Sequence, residues 1–405
     1  MNILFIHRGF PAQYKYLAIY LANNPDINVF YITSETDKEL NNVHKFIYKP
    51  KEVSATREPK LKLYEEYMMH GEAAAKVAME LKTRGYKPDI ILGHSWGPTA
   101  FVKEIFPDTP FLCYCEWFNQ AEGAVIGFDG EDPIKLYREK LRCDNARSLI
   151  DLYSCDAGIT PTHWQKEQYP KEFQDKIKVI HDGIYTDECT PDKSAKFLVK
   201  EKNIELTAQD EVITYATRGM EPIRGFPQFM EAVSKIQKKR PNAHFVIAGF
   251  DMVFYGIKNR DTTHKKQMLE KLNLDMSKIH FVNFLDFPEY LNLLRISSAH
   301  VYLTYPFILS WSLLEAMSVG CCIIGSDTKP VLEVIQDNYN GLITEFFNVD
   351  MLVEKIEYAL DNKEEMEEIR ANARKTVLEK YSLSVLLPQH LNYMQSIIDK
   401  AKENQ

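Results

Sequence analysis

Short runs of almost wholly apolar residues alternate with helix-forming stretches along the whole chain. The first set is NILFI (2–6), NVFYIT (28–33), IILG (90–93), FLCYC (111–115), AGIT (157–160) and KVIHDG (178–183). A second set restarts the rhythm with VITYAT (212–217), HFVIAG (244–249), IHFVNF (279–284), HVYLTY (300–305), CCIIGS (321–326) and GLITEF (341–346). A strand that is apolar at nearly every position is buried on both faces, as in parallel sheets covered by helices. The stretches between them suit the covering helices. HGEAAAKVAMELKTRG (70–85) is rich in good helix formers and has Gly85 placed to end a helix. The pattern predicts an α/β fold of two Rossmann-like, doubly wound parallel-sheet domains.

Length agrees with that count, because a single core stops growing near roughly 250–300 residues and the chain has 405. The expected division is 1–190 and 191–380, with the polar stretch YTDECTPDKSAKFLVKEKN (185–203) as the hinge. Residues 381–405 are expected to form a C-terminal helix, interrupted near Pro388, that packs back toward the first domain.

Composition narrows the field further. A net charge of −8 argues against a global basic surface, so no nucleic-acid partner is expected. The seven cysteines are odd in number and contain no C-x-x-C pair, which fits reduced thiols and a cytoplasmic setting. MNILFIHRGF lacks a basic leader region and reads as a first strand, and no run is apolar enough for a transmembrane helix. The basic patch KFIYKPK (45–51) leaves peripheral contact with the inner face of a membrane open.

Ligands of open α/β sheets bind beyond the carboxyl ends of the strands. The segments that follow the strands are HRGFPAQ (7–13), HSWG (94–97), EWFNQ (116–120), TRGMEPIRG (217–225) and TYPFILSWSLLEAMSVG (304–320). In TRGMEPIRG, Arg218 and Arg224 flank a strand-to-helix junction. Helix N–H groups and bidentate guanidinium donors both suit diphosphate oxygens. Two surface arginines in a turn remain the plain alternative. In the 304–320 stretch, Ser310 and Ser312 are candidate helix caps. Glu315 lies in an apolar run and needs a partner, because a lone buried carboxylate is costly. The two hydroxyls of a ribose would serve, and so would a cap or a core arginine. Trp96, Trp117, Trp164 and Trp311 are stacking candidates that are more often core. There is no G-x-x-x-x-G-K-[ST], no G-x-G-x-x-G after the first strand, no H-E-x-x-H and no D-x-D, so phosphate-loop, dinucleotide and metal sites lack their signals.

TRGMEPIRG resembles the G-R-x-x-x-x-K-G segment of the retaining GT-B glycosyltransferases of family 4. LLEAMSVGCCIIGSDTKPVLEVIQDNYNGLI resembles the same family's L-E-A-M-A-x-G…E-V-I-x-D-G-x-N-G run. The resemblance implies two Rossmann-like domains facing a cleft, with a nucleotide sugar held mainly by the second. It makes Arg218 and Arg224 diphosphate ligands and Glu315 the ribose carboxylate, beside Ser310, Trp311, Ser312 and Leu313. Gly9 becomes the first-strand loop residue near the diphosphate and acceptor. Two departures stand out. Phe307 occupies the position of the first glutamate of E-x7-E, and Glu116 that of a histidine after FLCYC, with His94 nearby. Glu116 and His94 join the arginines as catalytic candidates, the alternative for Glu116 being a pairing with Arg142 or Arg147.

The implied activity is transfer of a hexosyl group, with retention, from a UDP- or GDP-sugar to a carbohydrate, lipid-linked or protein acceptor. No cofactor or metal is required. The base is expected at the loop NFLDFP (283–288), and the acceptor at loops 45–70 and 119–135. A nucleotide-sugar 2-epimerase and a non-catalytic sugar-nucleotide binding module are the competing readings.

Overall fold

The computed structural model describes residues 1–403 apart from 54–57, 131–134 and 256–260, and the side chains of 135–137 are not described. The expected acceptor loops 45–70 and 119–135 therefore lie partly outside the described residues. The chain divides into two compact units. One comprises Met1–Gly183 with Leu383–Gln405, and the other Ile184–Ser382. The change of unit falls at 183–184, ahead of residue 190.

The first unit holds a parallel sheet of β1 (Asn2–Ile6), β2 (Asn28–Thr33), β3 (Val43–Ile47), β4 (Ile90–His94), β5 (Phe111–Tyr114), β6 (Ala157–Thr160) and β7 (Ile177–Val179). Its order is β3-β2-β1-β4-β5-β6-β7. The second unit begins with an antiparallel hairpin, β8 (Lys196–Val199) and β9 (Ile204–Thr207). Its main sheet contains β10 (Val212–Gly219), β11 (His244–Phe250), β12 (Ile279–Phe281), β13 (Ala299–Tyr302), β14 (Ile323–Ser326) and β15 (Leu342–Thr344). The order is β12-β11-β10-β13-β14-β15, again parallel throughout.

In both sheets the first strand of the set sits near the middle and its fourth-strand neighbour begins the other wing. The winding reverses between β1 and β4 and between β10 and β13. Crossovers leave such a pair in opposite directions, so a crevice opens at the carboxyl ends. The apolar runs become central strands because both faces are covered: every residue of β4, β5, β6, β13 and β14 is buried.

Three features depart from the sequence pattern. The polar stretch 185–203 is not simply a hinge, since half of it enters the β8–β9 hairpin. Phe197, Val199 and Leu206 face a small core with Val212 and Val246, while Lys196 and Leu198 face solvent. Alternation of this kind lowers the mean apolarity and hides a one-sided strand. β3 is likewise a half-exposed edge strand, and it overlaps the start of the basic patch 45–51. The C-terminal helix Leu383–Glu403 runs through Pro388 without the expected break. Proline removes a single donor in the second turn, and buried Leu386, Leu387 and His390 hold the segment against the first unit's core. His390 Nε2 lies 2.9 Å from the His181 carbonyl, and the Tyr393 hydroxyl donates to the Gly158 carbonyl at 3.2 Å.

A buried polar chain crosses the second sheet. Thr214 Oγ1 lies 2.6 Å from Ser297 Oγ and 2.8 Å from His300 Nδ1. Burial lowers the His300 imidazole from its ordinary 6.5 to about 4. Neutral His300 therefore contributes stability in full above 6.5, and that contribution declines as pH falls from 6.5 toward 4. At pH 5 the loss from this one residue is about 2 kcal/mol. Denaturant unfolding at pH 7.5 and pH 5 should show a smaller acid loss in His300→Gln than in the wild type. An equal loss in the two proteins would contradict this account.

Candidate active site

At the carboxyl ends of β10 and β13 lies a cavity of about 440 Å³. Arg218, Arg224, Ser310, Trp311, Ser312 and Glu315 all line it, so residues nearly a hundred positions apart in sequence meet here. Arg218 is carried by the end of β10, where pairing with β11 slips between Ala216 and Gly219. That irregularity swings the side chain out of the sheet. Its guanidinium carbon stands 4.2 Å from the Phe254 ring centre, within cation–π range.

Arg224 closes the short turn Pro222–Arg224 that follows. Its Nη1 donates to Thr304 Oγ1 at 2.7 Å and to the Ile308 carbonyl at 3.3 Å. The Tyr255 and Phe307 rings each lie 5.8 Å from the guanidinium carbon. Glu221, buried between the two arginines in sequence, accepts the backbone N–H groups of Phe254 (2.6 Å) and Tyr255 (3.0 Å) on Oε2. Burial raises the Glu221 carboxyl above its usual range, while those two N–H groups and both arginines oppose the rise. Glu221 thus fastens the segment whose rings pack on Arg218 and Arg224. It stands in the quoted motif, yet its spacing alone carried no signal.

Gly225 lets the turn reach the helix Phe226–Lys239. Its φ is +71°, and a Cβ there would sit 2.4 Å from Leu303 Cβ. The turn can press against the end of β13 only with no side chain at this position.

On the other wall, Ser310 caps the helix Trp311–Ser318. Its Oγ accepts the Ser312 N–H at 3.3 Å and the Ser312 hydroxyl at 2.9 Å, and its own N–H donates to the Tyr302 hydroxyl at 2.9 Å. Glu315, one turn in, is 9 % exposed and borders the cavity. Its neighbour is Tyr290: burial, then the Glu315 charge, push the Tyr290 phenol well above its ordinary value. Leu313 behaves differently from its neighbours, its side chain being fully buried in the core. At the far end the Asn283 carbonyl accepts the Gly249 N–H at 2.8 Å. Phe284, 71 % exposed, stacks on Phe250 with ring centres 5.5 Å apart. Tyr290, Tyr302, Phe254 and Tyr255 were not singled out by sequence, because aromatic residues in apolar runs read as core.

Phe307, which stands where a carboxylate was expected, is buried and meets the Tyr255 ring edge-on at 5.1 Å. The loop after β13 therefore presents an aromatic ring beside Arg224.

Gly9, His94 and Glu116 belong to the first unit, at the carboxyl ends of β1, β4 and β5. The Gly9 N–H donates to His7 Nδ1 at 2.8 Å, and the His7 ring lies 4.7 Å from the His94 ring. His94 Nδ1 accepts the Trp96 N–H at 3.1 Å, so a neutral ring carries its proton on Nε2. That Nε2 is 2.5 Å from Glu116 Oε2, which Gln13 Nε2 also approaches at 3.1 Å. Burial, then His94, lower the His7 imidazole well below its ordinary value. Arg147, offered by sequence as a partner for Glu116, instead donates from Nε to the Asp144 carbonyl and lies over the Trp96 ring. Trp117 and Trp164 are buried, whereas Trp311 borders the cavity. Among the described residues no group of three or more His, Cys, Asp or Glu is placed to hold a metal ion.

Comparison with known proteins gives a consistent picture. Residues 25–189 match the profile described as Glycosyl transferase family 4 group, and residues 199–376 match that of Glycosyl transferases group 1. An uncharacterized glycosyltransferase of Methanocaldococcus jannaschii is 25% identical over 313 residues, covering 76% of this chain and 75% of its own length. The fold is similar to that of sucrose-phosphate synthase from Thermosynechococcus elongatus, at 16% identity and a TM-score of 0.73, over 98% of this chain and 99% of that one. It is also similar to Anabaena HepE in complex with UDP, at 14% identity and a TM-score of 0.68, over 98% and 100% of the two chains.

The tight turn at residue 225 can be tested directly. Gly225→Ala adds left-handed strain and a clash, together about 3 kcal/mol. The expected result is a fall in melting temperature of roughly 5–10 °C. An unchanged melting temperature would mean the turn does not depend on this glycine.

Proposed function

We infer, for a chain that belongs to the GT-B glycosyltransferases of family 4, that it moves a hexosyl group from a nucleoside-diphosphate sugar to an acceptor hydroxyl with retention of configuration. The observation that carries this reading is the convergence of Arg218, Arg224, the capped start of the helix Trp311–Ser318 and Glu315 on one cavity. The two guanidinium groups and the helix start supply positive potential where a diphosphate would lie. Glu315 offers a carboxylate to two ribose hydroxyls, and the Asn283–Leu285 loop closes the base end.

In the proposed step the bond from the anomeric carbon to the diphosphate oxygen breaks as the acceptor oxygen bonds on the same face. The acceptor proton passes to the departing phosphate oxygen. Charge grows on the diphosphate during this step, so Arg218 and Arg224 stabilise the transition state more than the ground state. Held by Thr304 and Ile308, Arg224 needs little reorganisation as the charge develops. Glu116 and His94 form the acceptor-side pair in this reading. The imidazole and Gln13 aim the Glu116 side chain, which positions the acceptor hydroxyl.

UDP is the first nucleotide to test, because two of the similar structures are of HepE complexes with UDP and UDP-glucose. GDP remains in the comparison set. The 2-epimerase reading would require consumption of a UDP-sugar with no acceptor, and the binding-module reading would require binding without transfer.

Calorimetric titration with UDP, GDP, ADP and CMP should single out one nucleotide. Glu315→Ala should weaken it by ten- to a hundredfold, the loss of a charged hydrogen bond of about 1.5–3 kcal/mol. If none of the four binds the wild type, the donor-site assignment is wrong. For the acceptor side, Glu116→Gln should lower kcat by about a hundredfold and leave the nucleotide dissociation constant unchanged. Near-normal turnover in that variant would remove Glu116 from the mechanism.

A further inference from the structure

The two arginines of the cavity in the second unit are held in different ways. Arg224 is fixed through its donors, by Thr304 and the Ile308 carbonyl. Arg218 is exposed and lines the cavity, and among the described residues no hydrogen bond or ion pair holds its guanidinium. The contact it makes is with a ring, the Phe254 ring centre lying 4.2 Å from the guanidinium carbon. A long exposed side chain without any partner samples many rotamers, and a ligand that needs one of them loses affinity to the others. A guanidinium can be oriented without using its donors only through its flat faces. Stacking on Phe254 does that and leaves the N–H edge free for an anion.

The ring itself is held from several sides. The Phe254 and Tyr255 N–H groups both donate to Glu221 Oε2, at 2.6 and 3.0 Å. Residue 219, next to Arg218, is glycine. A Cβ there would stand 2.8 Å from Phe254 Cδ2 and 2.5 Å from the Met252 carbonyl oxygen, so the ring lies where a side chain at 219 would be. The Met220 N–H donates to the Phe250 carbonyl at 3.0 Å, and the Phe250 ring lies 6.3 Å from that of Phe254. The strand end that carries Arg218 and the segment that carries the ring are thus tied together twice within one unit. Glu221 is the costly member of this arrangement. It is buried, and its charge is felt by both arginines, where it competes with any anion they would bind. The two N–H groups it ties down give a reason for a carboxylate in that place.

We propose that Phe254 is a positioning residue for donor binding. It holds the Arg218 guanidinium by its face and presents the free edge to the diphosphate, while Glu221 and Gly219 set the ring. The diphosphate rests on the transferase reading; the stacked geometry does not.

Calorimetry on the full chain tests this. UDP and GDP are titrated, and the tighter binder is carried into Arg218→Gln, Phe254→Leu, Phe254→Tyr and the double variant R218Q/F254L. Arg218→Gln is expected to weaken binding by about tenfold or more. Phe254→Leu keeps an apolar side chain without a π face and should weaken binding by about three- to tenfold. Phe254→Tyr keeps the face and should stay within about twofold. In the Arg218→Gln background the leucine should cost less than about twofold, because the ring acts through the guanidinium. A ring that merely packs the loop would give the same loss in both backgrounds. That result, or full affinity in Phe254→Leu, overturns the inference. Melting curves check folding. Should the leucine variant melt early, Glu221→Ala against Glu221→Gln gives a second reading, since a glutamine oxygen still accepts both N–H groups and alanine releases them. Binding should then fall in the order wild type, glutamine, alanine, and the alanine loss should vanish without Arg218; equal affinity in the three would overturn the inference. If neither nucleotide binds, or Arg218→Gln binds as tightly as the wild type, the donor-site assignment fails and this inference with it. A weakened Arg218→Gln with an additive leucine loss leaves the assignment standing and removes Phe254 alone.

Discussion

The constraint on which the architecture depends is that every strand in the two large sheets is parallel. A parallel sheet must be covered on both faces, so its strand interiors hold apolar side chains almost exclusively. Polar chemistry is pushed to the strand ends. Where the winding reverses, between β1 and β4 and between β10 and β13, the crossovers diverge and leave those ends uncovered. Each unit therefore has one place where charged side chains can gather without entering the core. Arg218 and Glu315 gather at one, and Arg8, His94 and Glu116 at the other.

Within the second unit the site is held by polar contacts between residues that line the cavity and the backbone and side chains beside them. Glu221 ties down the 254–255 backbone, Thr304 and the Ile308 carbonyl orient Arg224, and the Tyr302 hydroxyl accepts the Ser310 N–H. Such supports matter because stabilisation of developing charge is strongest when the donors are already in position. Phe307 fits this picture. In place of a carboxylate it adds a second ring beside the Arg224 guanidinium, and with Tyr255 it encloses the charge in aromatic surface.

The two units handle charge differently. In the second, Arg224 is well satisfied by protein acceptors and Glu221 is buried between the arginines. In the first, His94 Nε2 and Glu116 Oε2 stand 2.5 Å apart, and the Arg8 Nε and Nη2 are buried without a hydrogen-bond partner.

The α/β class, the two-domain count and most strand positions were legible in the sequence. Strands buried on both faces write themselves as short continuous apolar runs. Glu315 was legible as well, because a carboxylate among Leu, Ala and Met is conspicuous, and so was the arginine pair around Gly and Pro. One-sided elements were not legible: β3 and the β8–β9 hairpin alternate apolar with polar and passed for loop. The residues that support the site also escaped, since Tyr290, Tyr302 and Tyr255 look like core and Glu221 like any surface acid. Only tertiary structure decided that Glu116 meets His94 rather than Arg147, and that Leu313 turns into the core while its neighbours line the cavity. Those outcomes depend on which strand ends lie side by side, and the pairing of β1 with β4 or β10 with β13 joins residues about ninety positions apart. Local pattern records whether a residue is covered, and the winding of the sheet decides by what.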